Sequence, residues 1–118
     1  MKVIPMKRMT FSHNDVLFVL LCFEGPDPYS SAGGLGMRVS NLSQTLAELG
    51  FQTHFFFVGN PRLKGEETMR DGRLILHRWC QWISEYYPKG VYHGEYDKLN
   101  DFNISIPWFV VENIVKPA

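Results

Sequence analysis

The residues best suited to chemistry form a run of small side chains, Gly33-Gly34-Leu35-Gly36, set between an apolar run and a segment of helical period. Where side chains are absent, backbone N–H groups come close to a ligand, and the positive end of a following helix favours anionic oxygens such as phosphate. The spacing is not that of a P-loop, because no Gly-Lys-Ser/Thr follows, and it is not the Gly-x-Gly-x-x-Gly of a dinucleotide fingerprint. The same glycines also suit a tight turn that lets a helix pack closely on a strand. Arg38, one turn into the helix, is placed either to meet a phosphate or to stand on the surface.

Other reactive side chains are scattered. Cys22 and Cys80 lie far apart, each inside an apolar segment, which fits reduced core residues rather than a disulfide scaffold or a metal knuckle. His13, His54, His77 and His93 lack the short spacings that bring metal ligands together, so each is read as a satisfied or exposed histidine, and no metal or cofactor is expected. Tyr29, Trp79, Trp82, Tyr86, Tyr87, Tyr92, Tyr96 and Trp108 have the flat faces that stack on sugars, although aromatic rings more often serve buried area. Asp97 and Glu95 either bind sugar hydroxyls or are solvated loop charges, and the second reading is preferred.

The elements that must hold these residues follow from apolar period. Residues 15–22 form a continuous β-rich apolar run that Pro26 and Pro28 end, the pattern of a strand buried on both faces of a parallel sheet. Leu35, Val39, Leu42, Leu46 and Leu49 then step by four and three along one helical stripe. Gly50 stops that helix, and residues 51–58 make a second aromatic and β-branched strand, completing a βαβ unit whose glycine loop emerges at the carboxyl end of the first strand. Residues 59–72 read as a charged surface loop and residues 74–79 as a third strand. Residues 82–98 have no period and are expected to be irregular or to hold short helical turns, and residues 106–115 form a short helix with Pro107 in its first turn. The expectation is therefore an α/β fold, a Rossmann-like parallel sheet with flanking helices, over residues 15–118, preceded by an extension at 1–14. A strand order of 3-2-1 would leave the first strand at an edge.

The chain has 118 residues, 45% of them apolar, with 12 basic and 12 acidic side chains. That balance removes the electrostatic basis for general nucleic-acid binding. The longest apolar run, residues 16–23, falls far below the roughly 18 needed to cross a membrane, and the first 15 residues show no signal-peptide core, so a cytoplasmic protein without an integral membrane segment is expected.

The longer string from Ser31 to Gly59, with Gly33-Gly-Leu-Gly36, Leu46-Ala-Glu-Leu-Gly50 and Gln52-Thr-His54, resembles the opening of the amino-terminal domain of glycogen-synthase-like, family 4 glycosyltransferases of the two-domain GT-B fold. The likeness covers residues 15–59 and is looser through Tyr92-His-Gly-Glu-Tyr-Asp-Lys-Leu99 and the segment after Ile106. It implies transfer of a sugar, with retention, from a nucleotide-sugar donor to a sugar-containing acceptor. The resemblance carries over Gly33, Gly34, Leu35 and Gly36, as lying against the donor's diphosphate and the acceptor; Arg38 joins them as a candidate substrate contact by its place in the helix, and Tyr29, Ser31 and Trp108 are candidate acceptor contacts. Glycogen synthases carry a lysine just before the two glycines, where Ser31 and Ala32 stand here, which points to a broader sugar transferase. The family's Glu-x7-Glu pair has no counterpart, since no two glutamates here are eight positions apart. The expectation is accordingly the incomplete, acceptor-side part of such an enzyme, binding donor and acceptor weakly and inactive without a carboxy-terminal donor-binding domain. The alternatives are a non-catalytic α/β interaction module, with a protein partner at the exposed sheet edge, and a small anion-binding protein.

Overall fold

The computed structural model describes residues 12–117. A 3-10 turn, His13–Asp15, leads into strand β1, Leu17–Leu21. Helix α1, Leu35–Glu48, returns the chain to β2, Gln52–Val58. Strands β3, Glu66–Met69, and β4, Leu74–Trp79, follow, then the short helix α2, Gln81–Ser84, and the long helix α3, Glu95–Val110, which continues as a π turn over Val111–Val115. The sheet order is β1-β2-β4-β3. β1, β2 and β4 are parallel, in registers that set Leu17 opposite Gln52 and Thr53 opposite Leu74. Most of the extension expected at 1–14 lies outside the described residues.

Side-chain alternation along the strands divides the core into two layers. Phe55, Phe57, Leu74 and Leu76 pack under α1 with Ala47, while Phe56, Val58, Phe102, Ile106 and Ile114 form the layer beneath α3. The α/β expectation holds, with corrections of detail. The segment 59–72 is not only a loop, because its residues Glu66–Met69 pair antiparallel with β4 and make the sheet mixed. Residues 82–98 hold a short helical turn, α2, as allowed for them, but the long helix α3 already begins at Glu95. Pro107 therefore sits inside α3 rather than in its first turn. β1 is only half covered, with Leu17 at 41% and Leu21 at 53% exposure, because it is the sheet's edge.

A further correction concerns α1. Its buried face is Gly36, Ser40, Ser43 and Ala47, while Leu35, Leu42 and Leu49 of the apolar stripe are exposed. Small residues let the helix approach closely: a Cβ on Gly36 would lie 2.5 Å from the Gly25 carbonyl oxygen, and one on Gly25 would strike the Phe57 ring. The opposite flank is fixed by Arg70, which donates to Gln44 at 2.6 Å and pairs with Glu48 at 3.3 Å. Arg70 follows β3, at the far side of the sheet, so the leucine stripe lies on the flank of α1 toward β1, an edge strand among the described residues. Among the described residues no helix is long and apolar enough to cross a membrane.

Candidate functional site

The carboxyl ends of β1, β2 and β4 carry the loops where open parallel sheets place ligands. The β1–α1 loop is held there by three buried polar side chains. Ser30 donates from its hydroxyl to the Val58 carbonyl. Asp27 takes two bonds from Arg78 on β4, at 2.7 and 3.2 Å, and Arg78 also meets Glu67 of β3 at 2.8 Å. Such a two-pronged pair fixes orientation as well as position. Glu24 accepts from the N–H groups of Gly33 at 3.0 Å and Ala32 at 3.3 Å, and from the Tyr92 hydroxyl at 2.5 Å.

Those bonds favour the ionised acid. The Tyr92 hydroxyl, then the Gly33 amide, hold the Glu24 carboxyl below its ordinary range. The same contact, with burial, pushes the Tyr92 phenol up to about 12, so it remains a donor at neutral pH. The N-terminus of α1 is thus already served by an internal carboxylate, and the Gly33 and Ala32 amides are committed to it. Gly34 caps the helix at φ +87°, a conformation glycine adopts without strain. An added side chain there would meet no atom within 4 Å.

Two of the three acceptor-side residues come together. Tyr29 and Ser31 line a cavity of about 370 Å³ with Ala32 and the turn that contains Lys89, Tyr92 and His93. Behind it Lys98, fully buried, donates to the Tyr29 hydroxyl oxygen at 2.8 Å and to the Gly90 and Val91 carbonyls at 2.9 and 3.1 Å. Tyr29 passes the chain on to the Tyr87 carbonyl at 2.6 Å. Trp108 stands apart, exposed near the end of α3 and outside this cavity. Of the donor-side residues, Gly33, Gly34 and Leu35 form the exposed rim, and Gly36 is buried against Gly25. Arg38 lies two positions from both Gly36 and Ser40, on the side of α1 away from the sheet.

Sequence reasoning missed Glu24 and Lys98 as site-builders. Glu24 carries a faint signal, an acid directly after a buried strand and just ahead of the glycines; Lys98 carries none, standing in a stretch without period. Cys22 and Cys80 are buried and unpaired; burial raises the Cys22 thiol and pushes the Cys80 thiol far up, which disfavours the nucleophilic thiolate of both. His54 and His77 are satisfied by one another, with Nδ1 and Nε2 2.9 Å apart between β2 and β4. Four of the eight aromatic residues that could face a sugar, Trp82, Tyr86, Tyr96 and Trp108, are largely exposed, while Tyr92, partly exposed, stacks on Phe23. Comparison with family models, with curated proteins and with solved structures finds no match.

Proposed function

We propose that this chain is the amino-terminal, acceptor-side part of a cytoplasmic glycosyltransferase that moves a sugar from a nucleotide-sugar donor, and that it binds its substrates only weakly by itself. The reading rests first on the resemblance of residues 31–59. The structural observation in its support is the cavity in which the glycine-loop residues Ser31 and Ala32 and the half-buried Tyr29 meet the 88–93 turn at the carboxyl end of β1. Its polar rim, with Ser31, Tyr92, His93 and Lys89, suits hydroxyls and an anionic group. No catalytic residue is assigned, since Glu24 is spent on the loop's own amides.

The test is titration of the protein with a panel of nucleotide sugars and neutral oligosaccharides, followed through backbone amide NMR shifts. Weak, saturable shifts at Gly33, Gly34 and Leu35, abolished by Ala32→Trp, are expected. Saturable shifts elsewhere alone, or none, would refute the reading. The open edge favours a second reading, a non-catalytic module that takes a protein strand along β1. Leu17 and Leu21 are exposed on that strand, with the α1 leucine stripe beyond them.

A further inference from the structure

A second cavity, of about 460 Å³, opens on the outer side of Tyr87, between the chain that follows β4 and the first half of α3. This is within the roughly 300–1,000 Å³ typical of small-molecule sites. One wall is aromatic: Trp82 and Tyr86 are 66% and 77% exposed, and Tyr87 closes the base. The other wall is a polar face of α3, where Asp97, Asn100 and Asp101 lie three and four residues apart and so project together.

The electrostatics of that wall are one-sided. Asp97 takes one bond, from the Tyr87 hydroxyl to Oδ2 at 2.6 Å, and Asp101 takes one from the Cys80 thiol to Oδ2 at 3.4 Å. Among the described residues neither carboxylate is paired with a basic side chain, and none lines the cavity. Like charges four residues apart on a helix repel. A cation placed between them would relieve that repulsion, and it would lie beside aromatic faces that attract positive charge. Exposed indole and phenol rings also offer an apolar plane bordered by polar atoms, the form of a surface that receives a ring with an apolar face and hydroxylated edges. Asn100 supplies both an amide donor and an acceptor at the same height on the helix.

We propose that this cleft binds a protonated amino sugar, its ring face on Trp82, its ammonium between Asp97 and Asp101, and a neighbouring hydroxyl on Asn100. The inference stands on this cavity alone and does not depend on the glycine loop.

The test uses the full chain at pH 6, where a sugar amine is charged, and amide NMR titration with glucosamine, glucose, N-acetylglucosamine and ethylammonium. Glucosamine is expected to shift residues 82–87 and 97–104, to bind up to about five-fold more tightly than the uncharged glucose and N-acetylglucosamine, the scale of one solvent-accessible charge contact, and to bind more tightly than ethylammonium, which lacks the ring. Asp97→Asn should remove the preference for glucosamine over glucose, and Trp82→Ala should abolish binding of both, with circular dichroism unchanged. Added salt should weaken glucosamine and leave glucose unaffected. Equal affinity for glucose, equal affinity for ethylammonium, shifts confined to other residues, or no shift at all would each overturn the proposal. Ala32→Trp, which fills the cavity beside the glycine loop, should leave glucosamine binding intact, so failure here and failure of the transferase reading are separable.

Discussion

Acid should destabilise this protein through the histidine pair between β2 and β4. His77 is 3% exposed, with its ring stacked on Phe56 at a centroid distance of 4.1 Å. Burial first, and the neighbouring His54 second, take it from 6.5 down to about 4. His54 is lowered as well, by burial, with Glu66 of β3 opposing the shift. The folded chain therefore binds fewer protons than the unfolded chain. Stability held in this pair is complete above pH 6.5 and is lost as pH falls from there toward about 4. For His77 alone, linkage over that shift amounts to about 2 kcal/mol between pH 7 and pH 5. In a chain of this length that loss lowers Tm by roughly 8 °C. Urea unfolding at the two pH values measures it directly. His77→Phe keeps the ring against Phe56 and removes the titrating group, so its stability should fall by about 2 kcal/mol less than the parent's over the same interval. Glu24, whose carboxyl lies below its ordinary 4.5, titrates beneath this window and does not confuse the reading. An equal acid loss in parent and variant would refute the assignment of the proton uptake to His77.

Three further outcomes follow from the packing. Gly36→Ala puts a Cβ 2.5 Å from the backbone oxygen of Gly25, which cannot yield as a flexible side chain would, so a loss of about 1–3 kcal/mol is expected in denaturant unfolding. Lys98→Met fills much the same volume but strips donors from the Tyr29 hydroxyl and from the Gly90 and Val91 carbonyls, and should cost about 3 kcal/mol, with chemical shifts of Gly90 and Val91 displaced. Tyr92→Phe removes the first of the bonds that favour ionised Glu24; the carboxyl should titrate at higher pH by carbon-detected NMR, while the loop amides of Ala32 and Gly33 keep their bonds.

Parts of this architecture are written locally. The β1–α1–β2 unit can be read from residues 15–58 because a continuous apolar run, a glycine turn and a stripe of period four and three each fix a local conformation. Gly50, with φ at +101°, ends α1 as its residue type predicts. The edge position of β1 is legible only on the condition of a 3-2-1 strand order, which local sequence does not fix.

What the sequence could not declare depends on which distant groups meet. Glu66–Met69 lacks an apolar alternation and becomes a strand only because β4 offers its free edge and Arg78 reaches Glu67. Helix α3 has no clear period, and it forms because Phe102, Ile106 and Ile114 find the Phe56 and Val58 side of the sheet. The leucines of α1 looked like its core face, yet the close approach permitted by Gly25 and Gly36 turned the small-residue face inward. The site is the extreme case. Glu24 meets Tyr92, Asp27 meets Arg78, and Trp82 faces Asp97 only once the chain is folded. Local sequence sets backbone preference through nearest-neighbour sterics and period, whereas burial, charge pairing and cavities arise from contacts across the chain. The tertiary structure alone decided those.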